Sequence, residues 1–218
     1  MNSEKTLSNL RIPASLKKLF VMLALIVAVS SLVIIPARAT TAPCYCSYGG
    51  HITYKPYTNY GTTYSTALSN ASTLWNLAIS NAGVSSYASL SYAASGNYVT
   101  AYFTTNNYEP YVYGKTKFYS YSETYGEYEV SLVGGELWNR AELFVYPSNI
   151  QAVVQSEPYL LDTDYPACLL KTTVHEFGHI LGLKHPEDPC WSVMFPGVST
   201  SYMPTSYDEA DINTRWHP

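Results

Sequence analysis

The sequence predicts an α+β domain, and three observations carry that expectation. Two runs, over 65–80 and 164–181, repeat apolar residues at helical spacing. Between them, 88–146 is rich in Tyr, Val, Thr and Phe and is cut by turn signals, which reads as a series of strands. The resulting order, strand, helix, several strands, helix, irregular segment and short helix, separates helices from strands rather than alternating them.

Each element has a local reason. His51-Ile52-Thr53-Tyr54-Lys55-Pro56-Tyr57 is a short β-rich run after Gly49-Gly50. Ala67, Leu68, Ala71, Trp75 and Ala78 mark the apolar stripe of the first helix, which Asn81-Ala82-Gly83 ends. Strands are expected near 88–92, 97–104, 128–133 and 141–146, with turns at Ser95-Gly96-Asn97, Asn106-Asn107 and Gly134-Gly135. Asp164-Tyr165-Pro166 reads as an N-cap followed by proline in the first turn, opening a helix with Leu169, Leu170, Val174, Phe177, Ile180 and Leu181 on its apolar face. A short last helix begins at Ser206 or Asp208 and runs through Ile212.

Composition narrows the function. The 218 residues suit one domain, and 47% are hydrophobic, enough for a sizeable core. Only 13% are charged, while tyrosine occurs 22 times. An intrinsically disordered chain would be poor in aromatics and rich in charge. A formal net charge of −4 does not supply the basic footprint that nucleic acid requires.

Residues 1–39 read as a secretory signal peptide. Lys5, Arg11, Lys17 and Lys18 precede an apolar run from Leu19 through Ile35, which ends at Pro36-Ala37-Arg38-Ala39. The run is short for a membrane span of about 20 residues, so no membrane association is expected after cleavage. An uncleaved, membrane-anchored form is the alternative. The mature domain, 40–218, then holds 7 basic and 15 acidic residues, a net charge of −8. The expected product is an exported monomer. Cys44, Cys46, Cys168 and Cys190 all follow the leader, and an even count in an exported chain suggests disulfides. A Cys44–Cys46 bridge would be strained, so the N-terminal pair is expected to join Cys168 and Cys190 in an order left open. Four free thiols are the other reading.

The chemistry lies in His175-Glu176-Phe177-Gly178-His179-Ile180-Leu181-Gly182-Leu183-Lys184-His185. His175 and His179, four residues apart on a helix, project from one face and can meet one Zn2+ ion. Glu176 is placed beside the metal as general base. Gly182 can adopt a positive φ, turning the chain so that His185 becomes the third ligand. Three protein ligands with a fourth position left to water describe a catalytic zinc site. Chance coincidence of five such positions is about 10⁻⁷ per starting point at ordinary residue usage.

This eleven-residue pattern resembles the metzincin clan of zinc endopeptidases, and Ser192-Val193-Met194-Phe195-Pro196 resembles its Met-turn, with Met194 as the methionine. The wider chain is most similar to matrixin catalytic domains: Ile52–Lys55 resembles their first strand, Ala67–Trp75 their first helix, Ala141–Tyr146 a strand before the active-site helix, and Asp208–Ile212 the start of their C-terminal helix. The resemblance implies a twisted mixed sheet, one catalytic zinc and protein or peptide substrates. There are departures. No histidine lies between His51 and His175, so the family's second, structural zinc is not expected. Calcium is possible but unsupported, since Glu123, Glu127, Glu129 and Glu136 read as a solvated acidic face. No pro-domain fits before the first strand, and capping of the zinc by Cys44 or Cys46 is an alternative to their disulfide use. Pro196-Gly197-Val198 lacks the family's usual Pro-x-Tyr pocket wall, and an apolar pocket is expected. Two other functions fit the composition: a zinc-binding but inactive adhesion domain, or a tyrosine-rich surface component without metal.

Overall fold

The computed structural model describes residues 39–41, 45–46, 49–96, 98–105, 109–131, 137–187 and 190–217. The expected leader thus lies outside the described residues except for Ala39, as do Cys44, the side chain of Cys46, Glu136 and the turns at 106–107 and 134–135. The elements, in chain order, begin with β1 (Ala39–Thr41), β2 (Tyr45–Cys46) and β3 (Gly50–Pro56). Helix α1 (Thr62–Asn81) is followed by β4 (Ala88–Tyr92), β5 (Val99–Phe103), β6 (Gly114–Ser122), β7 (Gly126–Val130), β8 (Leu137–Trp138) and β9 (Arg140–Val145). Then come α2 (Pro147–Ser156), a 3-10 turn (Asp162–Asp164), α3 (Tyr165–Ile180), β10 (Leu183–Pro186) and α4 (Ser206–Trp216).

Six strands form one mixed sheet in the order β4-β3-β5-β9-β6-β7. The four strands from β4 to β9 are mutually parallel, whereas β6 is antiparallel to both β9 and β7. Burial alternates along the strands. Val99, Ala101 and Phe103 of β5, with Ala141, Leu143 and Val145 of β9, are buried, and the residues between them are half-exposed. Only one face of the sheet is therefore packed, which gives even its parallel strands a period-2 pattern. Trp75 and Ile79 of α1, Phe177 and Ile180 of α3, and Ile52 and Leu143 of the sheet are fully buried in one core.

Besides the short strands β1, β2, β8 and β10 and the 3-10 turn, two longer elements are unexpected. β6 has a single buried residue, Phe118, so its alternation carries little apolar signal. α2 starts at Pro147 directly after β9 and buries only Asn149, Ile150 and Val154, too few positions to mark a helical stripe.

Three expectations are refined. Asp164 holds the N-cap position of α3, with proline in the first turn as expected, but its side chain does not cap α3: its carboxylate accepts the Leu161 N–H at 2.8 Å, closing the 3-10 turn. Glu123, Glu127 and Glu129 are exposed as expected of a solvated face, with two of them paired: Arg140 binds both carboxylate oxygens of Glu127 at 2.7 Å and Lys117 meets Glu129 at 3.2 Å. Among the described residues no disulfide forms, and Cys168 is a free thiol. Helical spacing turns Cys168 into the core, where its thiol is fully buried and shielded from exchange.

Candidate zinc and catalytic site

Helix α3 is buried along most of its length, and its side chains reach the site in steps of four. Lys171, His175 and His179 share one face, with Thr172 and Glu176 beside them. The helix stops at Gly182, whose φ of +86° lies in the left-handed region. A β-carbon there would stand 2.7 Å from Arg215 Nε of α4, so a side chain would have to displace the arginine as well. Beyond it, β10 pairs antiparallel with β1 and presents His185.

The structure brings His175, His179 and His185 together, with one potential ligand atom from each lying within 4.8 Å of the others. Their ring centroids are 4.9–5.0 Å apart. His175 Nδ1 lies 3.0 Å from the Val193 carbonyl, and His179 Nδ1 lies 2.8 Å from that of Leu183. A carbonyl only accepts, so each Nδ1 carries the proton and each Nε2 keeps its lone pair for a metal. Nε2 of His175 and of His185 approach to 2.9 Å. Burial holds the His175 imidazole well below its ordinary pKa and pushes His179 down to about 4; His185, more exposed, is lowered in the same direction. All three are neutral at pH 7, the form that binds metal. Two or more nitrogens converging as neutral, backbone-anchored donors fit zinc. Among the described residues this is the sole group of three or more potential ligands, and Cys168 is not part of it.

Glu176 is 4% exposed and stands outside that ligand group. Burial raises its pKa to about 7, against the opposing hydrogen bond from Thr116 and the charge of Lys171. The Thr116 hydroxyl donates to Oε2 at 2.7 Å. Gly114, two residues earlier on β6, lets the backbone close on the same carboxylate: a β-carbon there would lie 2.5 Å from Oε1. The strand thus fixes the carboxylate by one hydrogen bond and one close approach.

Met194 is fully buried beneath α3. A β-carbon on Gly178 would collide with its sulfur and lie 2.8 Å from Trp75 Cζ2, so the glycine within the histidine motif is where α3 rests on both. The Trp75 indole donates to the Val174 carbonyl at 2.7 Å, tying α1 to the residue before His175. The 192–194 turn is held from α4. Asp208, fully buried, accepts the Ser192 hydroxyl at 2.6 Å, the Val193 N–H at 3.2 Å and the Thr205 N–H at 2.7 Å.

A cavity of about 680 Å3 opens over these groups, lined by the three histidines and Glu176 and also by Lys171, Gly197 and others. Its lining is mostly apolar, as expected beside Pro196-Gly197-Val198, with the Lys171 ammonium built into its wall. Sequence reasoning missed Gly114, Thr116, Lys171, Gly178 and Asp208 as site residues. Lys171 was discoverable, standing one helical turn before His175; Gly114 and Thr116 lie on β6, which carries no local signal.

No curated protein matches the chain. Among solved structures, a chain of the GM1 bound form of the ECX AB5 holotoxin is 18% identical, with 78% of this chain and 83% of that one covered. Its TM-score of 0.49 marks a likeness too loose to bear on function. The family model described as Matrixin matches residues 103–215, just over half of the chain and the whole of the histidine motif. The chain belongs to the matrixin family of metalloproteases.

Proposed function

We propose that this protein is a secreted zinc endopeptidase, released from its leader after Ala39, with Glu176 as general base. The observation that carries the reading is the buried Glu176 carboxylate beside three converging neutral imidazoles. His175, His179 and His185 would hold the ion, and Met194 is assigned as the methionine of a Met-turn beneath it. Bound there, zinc supplies Lewis acidity toward water and toward the substrate carbonyl.

The chain's own residues do the rest. Glu176, with a pKa near 7, is matched to accept a proton from the attacking water and to return it to the leaving amine. Thr116 keeps Oε2 engaged and so holds the carboxylate in place for that transfer. The Val193 and Leu183 carbonyls fix the orientation of His175 and His179. The cavity beside Glu176 is where a polypeptide would seat a side chain.

Casein cleavage abolished by a chelator and restored by zinc is the first test. Glu176→Gln is expected to retain zinc and lose about 10²- to 10⁴-fold in kcat; His179→Ala is expected to lose the metal. Wild-type rates from Glu176→Gln, or full zinc content in His179→Ala, would refute the assignment.

A further inference from the structure

Lys171 has no part in the chemistry just described. Its side chain is 3% exposed, and its Nζ donates to the Phe195 and Gly197 carbonyls, each at 2.7 Å. Both acceptors are neutral, and among the described residues no carboxylate stands within ion-pair distance of the ammonium. A cation buried this way is expensive unless an anion joins it. An ammonium has three N–H groups, and two of them are used.

The surrounding charge points the same way. Residues 40–218 contain seven Lys and Arg, and three of them, Lys115, Lys171 and Lys184, line the one cavity that also holds the histidines. Glu176 is the only acid among the lining residues, although acids outnumber bases by 15 to 7 in this part of the chain. The cleft is thus a basic spot on an acidic protein, which favours the approach of negatively charged segments.

We propose that the peptidase selects acidic substrates, seating an aspartate or glutamate side chain beside the scissile bond against the Lys171 ammonium, with Lys115 and Lys184 drawing the segment in. The carboxylate takes the remaining N–H as a charge-assisted hydrogen bond. Lys171 is a specificity residue here, and the inference rests on the peptidase reading of the same site.

The test uses zinc-loaded protein and a peptide library varied on both sides of the scissile bond, followed by kcat/KM on matched Glu, Gln and Leu peptides. Wild type is expected to favour Glu over Gln at one flanking position by about tenfold or more, as sites built to bind a polar group reject analogues lacking it. Lys171→Met is expected to bring that ratio to one or below and to raise cleavage of the Leu peptide relative to Glu. A lysine that merely braced the 195–197 loop would slow all three peptides alike, which would overturn the proposal. An acidic preference unchanged in Lys171→Met would overturn it as well. The wild-type profile decides alone if the variant does not fold, since preference for Leu over Glu there refutes the idea while leaving the peptidase reading intact. Absence of cleavage of any peptide would overturn both.

Discussion

A single buried charge sets a measurable pH dependence. Burial lowers the Lys171 pKa from 10.5 to about 8. Below pH 8 the folded and unfolded chains both carry the proton, and the folded state bears the whole penalty of the buried cation. Between about 8 and 10.5 the folded state has lost a proton that the unfolded chain still holds, so this contribution to stability rises with pH. The difference corresponds to about 3 kcal/mol at neutral pH. Urea midpoints for wild type and Lys171→Met are therefore expected to differ most, in the variant's favour, at pH 7 and to converge toward pH 10. A gap independent of pH would mean that the lysine titrates normally. Glu176 obeys the opposite logic with the same cause: burial disfavours its charged form, which raises its pKa.

Elements act on the site through their ends and turns. The 192–194 turn illustrates this, because the Val193 carbonyl orients His175 while Asp208 of α4 holds the turn. Asp208→Ala is expected to weaken zinc binding about 10- to 100-fold, as loss of an outer partner of a ligand does. Competition against a chromophoric chelator reads this directly, and unchanged affinity would show that the turn stands without α4. The same elements show what could be read in advance. α1, α3 and the buried strands β3, β4, β5 and β9 were legible because their burial follows a period, 3.6 or 2, that the residue pattern repeats. The histidine ligands were legible because three of them sit within eleven residues. β6 was not, since it is half-exposed along nearly all its length, and with it went Gly114 and Thr116. Their roles depend on β6 pairing with β9, a contact that only tertiary structure creates. Asp208 was read as the start of a helix; its use as an anchor depends on a loop fifteen residues away in sequence.

At the scale of the molecule, one sheet face is packed and the other carries aromatics. Tyr57 stacks on Tyr102 at 4.7 Å, Tyr102 on Phe144 at 4.9 Å, and Phe144 on Tyr146 at 6.4 Å, a row running across three neighbouring segments. Arg140 lies over the Tyr119 ring at 4.0 Å on the neighbouring strand. These tyrosines thus cover a sheet face on which no helix of the described residues packs, using side chains with an apolar body and a polar tip. The metal is expected to contribute to the whole fold, because the ligands come from α3 and β10 and are braced by a third segment. Ligand binding to the folded state alone adds about 4 kcal/mol at a thousandfold excess over Kd. Chelation is expected to lower the calorimetric Tm and zinc to restore it; a Tm indifferent to both would argue that the histidines hold no ion.

The brace on His175 also has a direction in time. Val193 and Asp208 both follow the histidine motif along the chain, so a ribosome delivers the ligands before the parts that aim His175. A nascent chain carries all three histidines and Glu176 while α4 is still unmade, with no anchored turn beneath the first ligand. The brace on the first ligand is thus completed only when translation has passed α4.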